Sequence, residues 1–406
     1  LGNSRQEEIN ITEVSGNVGD IESLPYVESV RQLKRKLGSD DSVVIHLTLI
    51  PYLSAAGELK TKPTQHSVQK LLEAGVQPDI LVCRTEHKLS IEVRKKISLF
   101  CNVNQNAVIE SIDVETIYDV PLMMEKEKLD KVVLAKLRLP TSTEANLENW
   151  KNFLFKLKHP KNEVNIGLIG KYVELPDAYK SINEAFIHAG AENECKVNLS
   201  HLSSENITSD NVKERLKDLD GVLVAPGFGD RGIEGKITTI KYLRENKIPF
   251  FGICLGMQCA VIEYARNVIG LSKAHSTEMT NTNHPVIDLM ESQKEVSKKG
   301  GTMRLGAYKC KLEKGSRSFM AYGKQVISER HRHRYEFNNE YLHDFETNGM
   351  IATGINPDNN LVEVVEIPDH PWFVGVQYHP ELKSTVDEPH PLFIRFVKAA
   401  IENSSK

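Results

Sequence analysis

Short apolar runs alternate with amphipathic stretches along the chain, and this alternation predicts its elements. In the first third, DSVVIHLTLI (41–50) and PDILVCR (78–84) have the length and β-branched content of buried strands. A stretch near 66–75 between them predicts a helix, NAVIES (106–111) predicts a further strand, and INITEV (9–14) is also strand-like. This order of strand, loop, helix and strand favours a parallel sheet with crossover helices.

The same rhythm restarts near residue 163, after a weaker stretch from about 140 that predicts a linker with one amphipathic helix. We therefore expect an α/β protein with two doubly wound, mostly parallel-sheet domains, at 1–140 and 163–406, joined by the linker 141–162. The second domain is predicted from these segments: VNIGLIGKY (164–172), a strand; PDAYKSINEAFIHAG (176–190), a helix; DGVLVAPGFG (220–229), a strand; IPFFGICLGMQCAVIEYA (248–265), a strand turning into a helix; PWFVGVQYHPEL (371–382), a strand; HPLFIRFVKAAIEN (390–403), a helix.

Composition narrows the class of protein. The 406 residues are 40% hydrophobic and 26% charged, which is typical of a soluble globular protein, and no apolar run approaches the roughly 18 residues of a membrane span. The net charge of -4 argues against a nucleic-acid binder. Six cysteines without paired spacing do not predict a disulfide framework, so we expect a reducing, cytoplasmic location.

The segment Gly252-Ile-Cys-Leu-Gly256 carries the main chemical signal. A strand that reverses into a helix within one residue turns the side chain at its apex outward, here Cys254, and the flanking glycines leave room for the backbone. The helix amino terminus favours a thiolate, and the N–H of Leu255 points toward a developing oxyanion. The plain alternative is that Cys254 only packs in the core, as most buried free cysteines do.

A base for this thiol is offered by Gln377-Tyr-His-Pro-Glu381. Pro380 favours an extended backbone at His379, so His379 and Glu381 are predicted to lie on one face of a strand. The carboxylate can then orient one imidazole nitrogen and turn the other toward the thiol. H-P-E alone is a weak signal, but beside the turn it predicts that Cys254, His379 and Glu381 are catalytic.

Together with Ala225-Pro-Gly-Phe228 on an earlier strand, these motifs resemble the class I (triad-type) glutamine amidotransferases. In that family the cysteine attacks the side-chain amide of glutamine and releases ammonia. The resemblance implies that the N–H groups of Gly227 and Leu255 form the oxyanion hole. The chain departs from the family where many relatives have Pro-Gly-Gly-Phe, so one backbone position has lost its flexibility.

Further motifs resemble the CTP synthase family, over nearly the whole chain. They are G-D-I-E-S-L-P (19–25), G-E-L-K-T-K-P-T-Q-H-S (57–67), K-Y-x-E-L-P-D-A-Y-K-S (171–181), S-T-E (276–278), G-G-T-M-R-L-G (300–306) and E-R-H-R-H-R-Y-E (329–336). The resemblance implies a partial P-loop-like synthetase domain followed by a flavodoxin-like glutaminase domain. It also implies the reaction: glutamine supplies ammonia for ATP-dependent amination of UTP to CTP.

The resemblance implies a glutamine pocket as well. Glu278 would hold the α-amino group, Gln258 and the backbone of Arg334 would hold other polar atoms, and Phe228 would line the pocket. Without the family, the arginines of 329–336 are read equally well as a solvated basic strand face or as a phosphate patch. The full implied set is Gly227, Phe228, Leu255, Gly256, Met257, Gln258, Glu278 and Arg334.

The hexapeptide Lys60–Gln65 fits a triphosphate, because Pro63 is expected to keep Lys62 extended so that Lys60 and Lys62 project to the same side. Two exposed loop lysines are the plain alternative. The resemblance implies that this segment binds UTP or the inhibitory product CTP, across a subunit boundary of a homo-oligomer that is a tetramer in the family. The residues implied are Asp20, Ile21, Glu22, Lys60, Thr61, Lys62, Pro63, Thr64, Gln65 and Lys96.

The remaining cofactor sites also come from the resemblance. Glu13 would be a Mg²⁺ ligand, which suits a hard cation. Ile112, Asp113 and Val114 would edge the adenine of ATP. GTP would act as an allosteric activator through the segment near Arg231 and Glu234.

One expected part of a ligase is not found in the printed sequence. Phosphorylation of UTP requires a Gly-rich loop that cradles phosphates, and the chain has no G-x-x-x-x-G-K. Residues 13–19, E-V-S-G-N-V-G, also depart from the usual E-I-G-G-T-V-G. We therefore expect a chain that lacks the front of its synthetase domain, with glutaminase chemistry possible and CTP formation not. The alternatives are an incomplete fragment that serves as an oligomerisation module, or a glutaminase for another acceptor.

Overall fold

The computed structural model describes residues 9–175, 177–289 and 303–405, and the chain divides into two compact units, Leu1–Leu147 and Glu148–Lys406. The elements of the first unit are α1 (Leu24–Leu37), β1 (Ile45–Ile50), β2 (Tyr52–Leu53), β3 (Glu58–Leu59), α2 (Lys62–Glu73), β4 (Ile80–Thr85), α3 (Ile91–Cys101), β5 (Val108–Ile112), α4 (Val120–Lys126) and α5 (Leu129–Lys136).

The first unit is built on a parallel sheet of β1, β4 and β5, in that order, as the strand–helix–strand rhythm predicts. Thr85 pairs with Ile50 on one side and with Ile112 on the other, so all three strands end at the same edge. Apolar side chains from β1, β4 and β5 pack with α2 and α3 into one core cluster. Ligands of open parallel sheets bind at this carboxyl edge.

Two expectations about the first unit are wrong. Residues 9–14 form no strand, and Ile11 is 96% exposed, because no described strand pairs with this segment and alternation alone does not make a sheet. Lys62 is not extended, since α2 begins there with Pro63 in its first turn. The N–H groups of a helix's first turn have no acceptor within the helix, so a proline there costs no hydrogen bond. Lys62 and Pro63 therefore form the start of α2 instead of an extended segment before it.

The second unit contains the predicted linker helix and all later elements. They are α6 (Glu148–Lys158), β6 (Asn162–Gly170), α7 (Lys180–Glu192), β7 (Cys195–Ser203), α8 (Val212–Leu216), β8 (Gly221–Val224), α9 (Ile233–Glu245), β9 (Phe250–Ile253), α10 (Leu255–Tyr264), β10 (His275–Ser276), β11 (Pro285–Leu289), β12 (Arg304–Leu312), α11 (Arg317–Tyr322), β13 (Val326–His333), β14 (Tyr335–Phe337), α12 (Leu342–Thr347), β15 (Ile351–Ile355), β16 (Val362–Glu366), β17 (Phe373–Val376) and α13 (Pro391–Ser404).

A large mixed sheet organises this unit, in the order β13-β12-β15-β16-β17-β9-β8-β6-β7 among the described residues. The half from β17 to β7 is parallel and carries helices, and the half from β13 to β17 is antiparallel. Phe250 and Phe251 belong to different core clusters, because successive strand residues point to opposite faces of a sheet covered on both sides. The predicted α/β class is confirmed. Across the three described ranges, every helix is too short or too polar to cross a bilayer.

Candidate active site

Three neighbouring strands of the parallel half end beside one another at the edge where the chemistry-bearing segments begin. Val376 at the end of β17 pairs with Ile253 at the end of β9, and Val224 at the end of β8 pairs with Gly252. The N–H of Cys254 donates to the carbonyl oxygen of Val376 at 2.7 Å. The sheet order therefore brings together segments that lie far apart in sequence: 225–229, the turn at 254, and 377–381.

The turn at Cys254 has the strained geometry that G-I-C-L-G predicts. Cys254 has φ 52° and ψ -105°, a backbone conformation that costs an L-residue free energy and is found at functional turns. A Cβ on Gly256 would lie 2.1 Å from the carbonyl oxygen of Val224, and one on Gly252 would lie 2.8 Å from the carbonyl carbon of Gly256. Only glycine fits at both positions, and Cys254 itself is 3% exposed.

His379 and Glu381 form the predicted pair, although the local structure differs from the expectation. His379 Nδ1 and Glu381 Oε1 are 2.7 Å apart, and both side chains are buried. They do not lie on a strand: β17 ends at Val376, and Pro380–Leu382 is a 3₁₀ turn. Pro380 starts this turn, because its fixed φ also suits the first position of a helix.

His379 lies close to the sulfur of Cys254. Burial acts to lower the pKa of His379, but interactions with Cys254 and Glu381 outweigh it and raise the pKa to about 10. The second nitrogen, Nε2, is buried and forms no hydrogen bond of standard geometry within the described ranges. Because Nδ1 contacts Glu381, Nε2 is the nitrogen left to exchange a proton with the adjacent sulfur of Cys254.

A chain of amide groups connects the sulfur to the wall of a cleft. Gln377 Nε2 lies 3.7 Å from Cys254 Sγ, and Gln377 Oε1 accepts a hydrogen bond from Gln258 Nε2 at 3.2 Å. Gln258 Nε2 also donates to the carbonyl oxygen of Tyr335 at 2.8 Å. The turn that carries Cys254 is thereby joined to β14, on the opposite side of the cleft.

The cleft contains most of the residues implied for glutamine. Leu255, Gly256 and Met257 of that set lie buried in the first turn of α10, where helix N–H groups have no acceptor within the helix. A Cβ on Gly227 would lie 3.3 Å from Leu255 Cδ2, so the two residues implied to supply the oxyanion hole are neighbours. The cleft is lined by Gly227, Phe228, Cys254, Gln258, Glu278, His333, Arg334 and Tyr335.

Sequence reasoning did not single out His333 and Tyr335 as lining residues. Residues of β13 alternate between exposed and buried, which turns the arginines at 330 and 332 to solvent and the histidines inward. The arginines of β13 are therefore exposed to solvent, which agrees with a solvated strand face and with a phosphate patch alike. The period of two in E-R-H-R-H-R was visible in the sequence and could have identified His333.

A buried charged network supports His333. Its Nε2 lies 2.8 Å from Glu336 Oε1, which also accepts from Arg304 Nη1 at 2.9 Å. Arg304 Nη2 donates to Glu363 Oε1 at 2.7 Å, and His331 Nε2 lies 2.7 Å from Glu363 Oε2. All five side chains are at most 5% exposed, so the network fixes one wall of the cleft. Residues 300–302 of the G-G-T-M-R-L-G motif, like Pro176 of 171–181, lie outside the described residues.

In the first unit, the residues implied for UTP or CTP fall into an exposed and a buried group. Lys60 pairs with Glu58, and the pKa of Glu58 is lowered first by that hydrogen bond and also by Lys96, which places Lys96 nearby. Thr64 donates to the carbonyl oxygen of Leu49 at 3.1 Å, inside the α2–β1 contact. Thr61 and Gln65 are also buried, whereas Lys62, Pro63, Asp20, Ile21 and Glu22 are exposed.

A second cleft of about 270 Å³ lies at the carboxyl ends of β1, β4 and β5. Asp113, one of the residues implied for ATP, lines it and accepts a hydrogen bond from Arg84 Nε at 3.0 Å. Ile112 is the last residue of β5, and Val114 follows two positions later. Glu13 is exposed, and no group of three His, Cys, Asp or Glu within the described ranges has the geometry to hold a metal ion.

Comparison with known proteins identifies both units. Residues 1–139 match the family described as CTP synthase N-terminus, and residues 174–399 match Glutamine amidotransferase class-I. The glutaminase domain of Trypanosoma brucei CTPS with bound acivicin is similar in structure, with a TM-score of 0.56, 36% identity, and coverage of 59% of this chain and 94% of that domain.

Curated relatives match almost the entire chain. A CTP synthase of Cytophaga hutchinsonii is 66% identical over 401 residues, covering 98% of this chain and 74% of that protein. A CTP synthase of Christiangramia forsetii is 64% identical over 407 residues, covering 100% of this chain and 74% of that protein. These matches give no support to an oligomerisation module or to a glutaminase for another acceptor. The chain belongs to the CTP synthase family of glutamine-hydrolysing ligases, with a synthetase domain followed by a class I glutamine amidotransferase domain.

Proposed function

We propose that Cys254, His379 and Glu381 carry out the glutaminase half of the family reaction. His379 takes the thiol proton, and the sulfur attacks the side-chain amide carbon of glutamine. The resulting oxyanion accepts hydrogen bonds from the N–H groups of Gly227 and Leu255. His379 then protonates the amide nitrogen, which leaves as ammonia. A water molecule that gives its proton to His379 hydrolyses the thioester to glutamate, and His379 returns this proton to the sulfur. Glu381 keeps the imidazole oriented through Nδ1.

The convergence of three strand ends on one cleft supports this proposal most directly. β9, β17 and β8 are neighbours in the sheet. The sulfur follows the end of β9, the imidazole the end of β17, and the backbone of Gly227 the end of β8. The proposal is tested by ammonia release from glutamine, and by covalent labelling of Cys254 with acivicin followed by peptide mapping. A protein that neither releases ammonia nor is labelled at Cys254 would refute it.

Glu278 is proposed to bind the α-ammonium of glutamine. It lines the cleft, and its Oε1 already accepts a hydrogen bond from the N–H of Gly229 at 3.0 Å, which orients the carboxylate. We expect Glu278→Gln to raise KM for glutamine about 30-fold, because a charge-assisted hydrogen bond contributes roughly 2 kcal/mol, with kcat falling much less. The exposed Glu340 provides the control, and Glu340→Gln should leave both constants unchanged. A fall in kcat at constant KM would contradict the assignment.

In the synthetase domain we propose that UTP or CTP binds the Lys60–Gln65 segment with Lys96 and residues 20–22. ATP is proposed to bind with its adenine against residues 112–114, beside the second cleft. Mg²⁺ would bind mainly to the nucleotide phosphates with Glu13, since this ion commonly uses only one or two protein carboxylates. Activation by GTP near Arg231 and Glu234, and a cytoplasmic homo-oligomer, remain part of the proposal. All six cysteines are free and buried, which agrees with a reducing compartment.

The UTP proposal predicts a ligand-dependent change in stability. UTP at 100 times its Kd should stabilise the protein by about 2.7 kcal/mol. Lys62 is exposed, so Lys62→Ala should leave the melting temperature without ligand unchanged and weaken UTP binding about tenfold. Lys70→Ala, on the exposed face of the same helix, is the matched control. Equal UTP-induced shifts in the three proteins, measured by thermal denaturation, would rule out a phosphate contact at Lys62.

A further inference from the structure

Two buried lysines contact the backbone segment that carries Gly227. We infer that Lys171 and Lys236 are positioning residues of the oxyanion loop, residues 225–229, and that their charges stabilise the oxyanion formed during glutamine hydrolysis. This inference rests on the proposed role of Cys254 as the nucleophile. The two lysines lie 65 residues apart in sequence and on different elements.

Lys236 approaches the start of the loop from α9. It is 0% exposed, and its Nζ donates to the carbonyl oxygen of Ala225 at 2.6 Å. The N–H of Ala225 donates in turn to the carbonyl oxygen of Ile169 at 2.9 Å. The N–H and the carbonyl oxygen of Ala225 are therefore both hydrogen-bonded, which fixes the direction in which the loop leaves β8.

Lys171 approaches the end of the loop from the residue after β6. It is 6% exposed, and its Nζ donates to the carbonyl oxygens of Phe228 at 2.7 Å and Gly229 at 2.5 Å. Its own N–H donates to the hydroxyl of the buried Tyr179 at 3.0 Å. The position of Lys171 is thus determined by packing and hydrogen bonding independent of any ligand.

These contacts constrain the peptide between Pro226 and Gly227 from both sides. The peptide between Phe228 and Gly229, two further along the chain, is hydrogen-bonded at both ends, to Lys171 through its oxygen and to Glu278 through its N–H. Pro226 adds a fixed φ. A donor whose direction is set before the reaction needs no reorganisation when charge develops, which is the largest source of oxyanion stabilisation.

The charges themselves point to catalysis. A neutral donor such as glutamine could bond a carbonyl oxygen without the cost of burying an ammonium. Burial is the main cause that lowers the pKa of Lys236, to about 8, and it also lowers the pKa of Lys171. The groups near Lys236 are Cys259, Lys171 and Cys254; those near Lys171 are Cys259, Glu278, Arg231 and Asp230.

The ammonium of Lys236 interacts with Cys254, whereas Lys171 has the carboxylates of Glu278 and Asp230 near it as well as Arg231. Burial raises the pKa of Cys259 to about 11, so this thiol is neutral and balances neither ammonium. A pKa of about 8 keeps most of the Lys236 population protonated at pH 7. In a buried site with a low dielectric constant, such charges act strongly on a developing oxyanion.

The test separates oxyanion stabilisation from general damage to the pocket. Lys171→Met and Lys236→Met are compared with the parent and with Lys241→Met, which replaces an exposed lysine of α9. The probe is glutamate γ-semialdehyde. The sulfur forms a bond to its aldehyde carbon, the C=O π pair moves to oxygen to give the oxyanion of a hemithioacetal, and the thiol proton is held by His379. Glutamate serves as a ligand that forms no such adduct.

Each lysine variant is expected to lose about 10- to 100-fold in kcat and in affinity for the aldehyde. This loss is at or below that caused by removing an oxyanion donor, because the donors themselves remain. KM for glutamine and affinity for glutamate should change less than about threefold, and Lys241→Met should match the parent. The parent should also lose activity as pH rises through about 8, where Lys236 loses its charge, and Lys236→Met should lack this step. Equal losses for the aldehyde and glutamate, or no loss for either, would overturn the inference.

Folding and the proposed function are tested separately. If a methionine variant does not fold, Lys171→Gln replaces it: this side chain keeps a donor and loses the charge, so it should retain part of the aldehyde affinity and none of the charge effect. Full aldehyde affinity in Lys171→Gln would overturn the role of charge. If Cys254→Ala still hydrolyses glutamine, the proposed function itself fails. If that variant is inactive while the lysine variants behave as the parent, only this inference fails.

Discussion

Replacing Cys254 with alanine is expected to lower kcat for glutamine hydrolysis by at least about 10⁴-fold, the scale of nucleophile removal in related triads. Without the sulfur, no thioester can form, and a water molecule in the cleft is not activated to replace the sulfur as nucleophile. Alanine keeps the Cβ, so the left-handed backbone strain at residue 254 persists and the free energy of unfolding should change by less than about 1 kcal/mol. Ammonia release is measured with a coupled dehydrogenase assay.

The control for this change is Cys195→Ala, at a buried cysteine that begins β7 and lines neither cleft. It should keep the parent rate and the parent pattern of acivicin labelling. Ammonia-dependent amination of UTP, in any preparation that supports it, should survive in Cys254→Ala, because the sulfur acts only on glutamine. Retention of glutamine hydrolysis by Cys254→Ala would contradict the nucleophile assignment directly.

The turn at Cys254 could be predicted because its requirements are local. A strand–turn–helix unit is encoded here within fifteen residues. Its strand is predicted by the apolar run 250–253, its turn by the two glycines, and its helix by the pattern of 255–264. The order of elements then places the ends of β8, β9 and β17 at one edge, since parallel strands in a doubly wound sheet share their direction. Much of the active-site frame follows from such patterns.

Local rules also explain the errors. Proline has the same φ in an extended strand and in the first turn of a helix, so the residue itself does not decide between them. Pro63 and Pro380 both start helical turns here, and the expectation of extended structure at Lys62 and at His379–Glu381 was wrong for the same reason. The His379–Glu381 contact survives because a turn also brings residues two apart within reach.

The residues that were missed depend on contacts across the fold. Lys171 lies in the 171–181 motif and Lys236 in none, and neither was assigned a role from the sequence. Only the packing of α9 and β6 around β8 shows that they are buried. The partners of Arg304 come from β14 and β16, 32 and 59 residues later. No periodicity within one element contains this information, because buried charges are selected by their partners and not by their neighbours in sequence.

His379→Gln is expected to reduce kcat by about 10³-fold or more, since both proton transfers of the proposed mechanism pass through this imidazole. Interactions with Cys254 and Glu381 outweigh burial and raise the pKa of His379 to about 10, so the imidazolium beside the sulfur is lost only above that value. In the parent, alkylation of Cys254 by iodoacetamide should therefore be nearly constant from neutral pH to about pH 9. In His379→Gln it should rise with pH, because hydroxide must then remove the thiol proton.

His201→Gln is the matched control, because His201 is exposed on β7, where its Nε2 lies 3.1 Å from Asn183 Oδ1. Its kcat and alkylation profile should equal those of the parent. The kcat of Glu381→Gln should lie between those of the parent and His379→Gln. Loss of the carboxylate removes one of the interactions that raise the pKa of His379 but leaves the imidazole in place. A flat alkylation profile in His379→Gln, together with undiminished hydrolysis, would show that another group activates the sulfur and would exclude the Cys254–His379 pair as the catalytic unit.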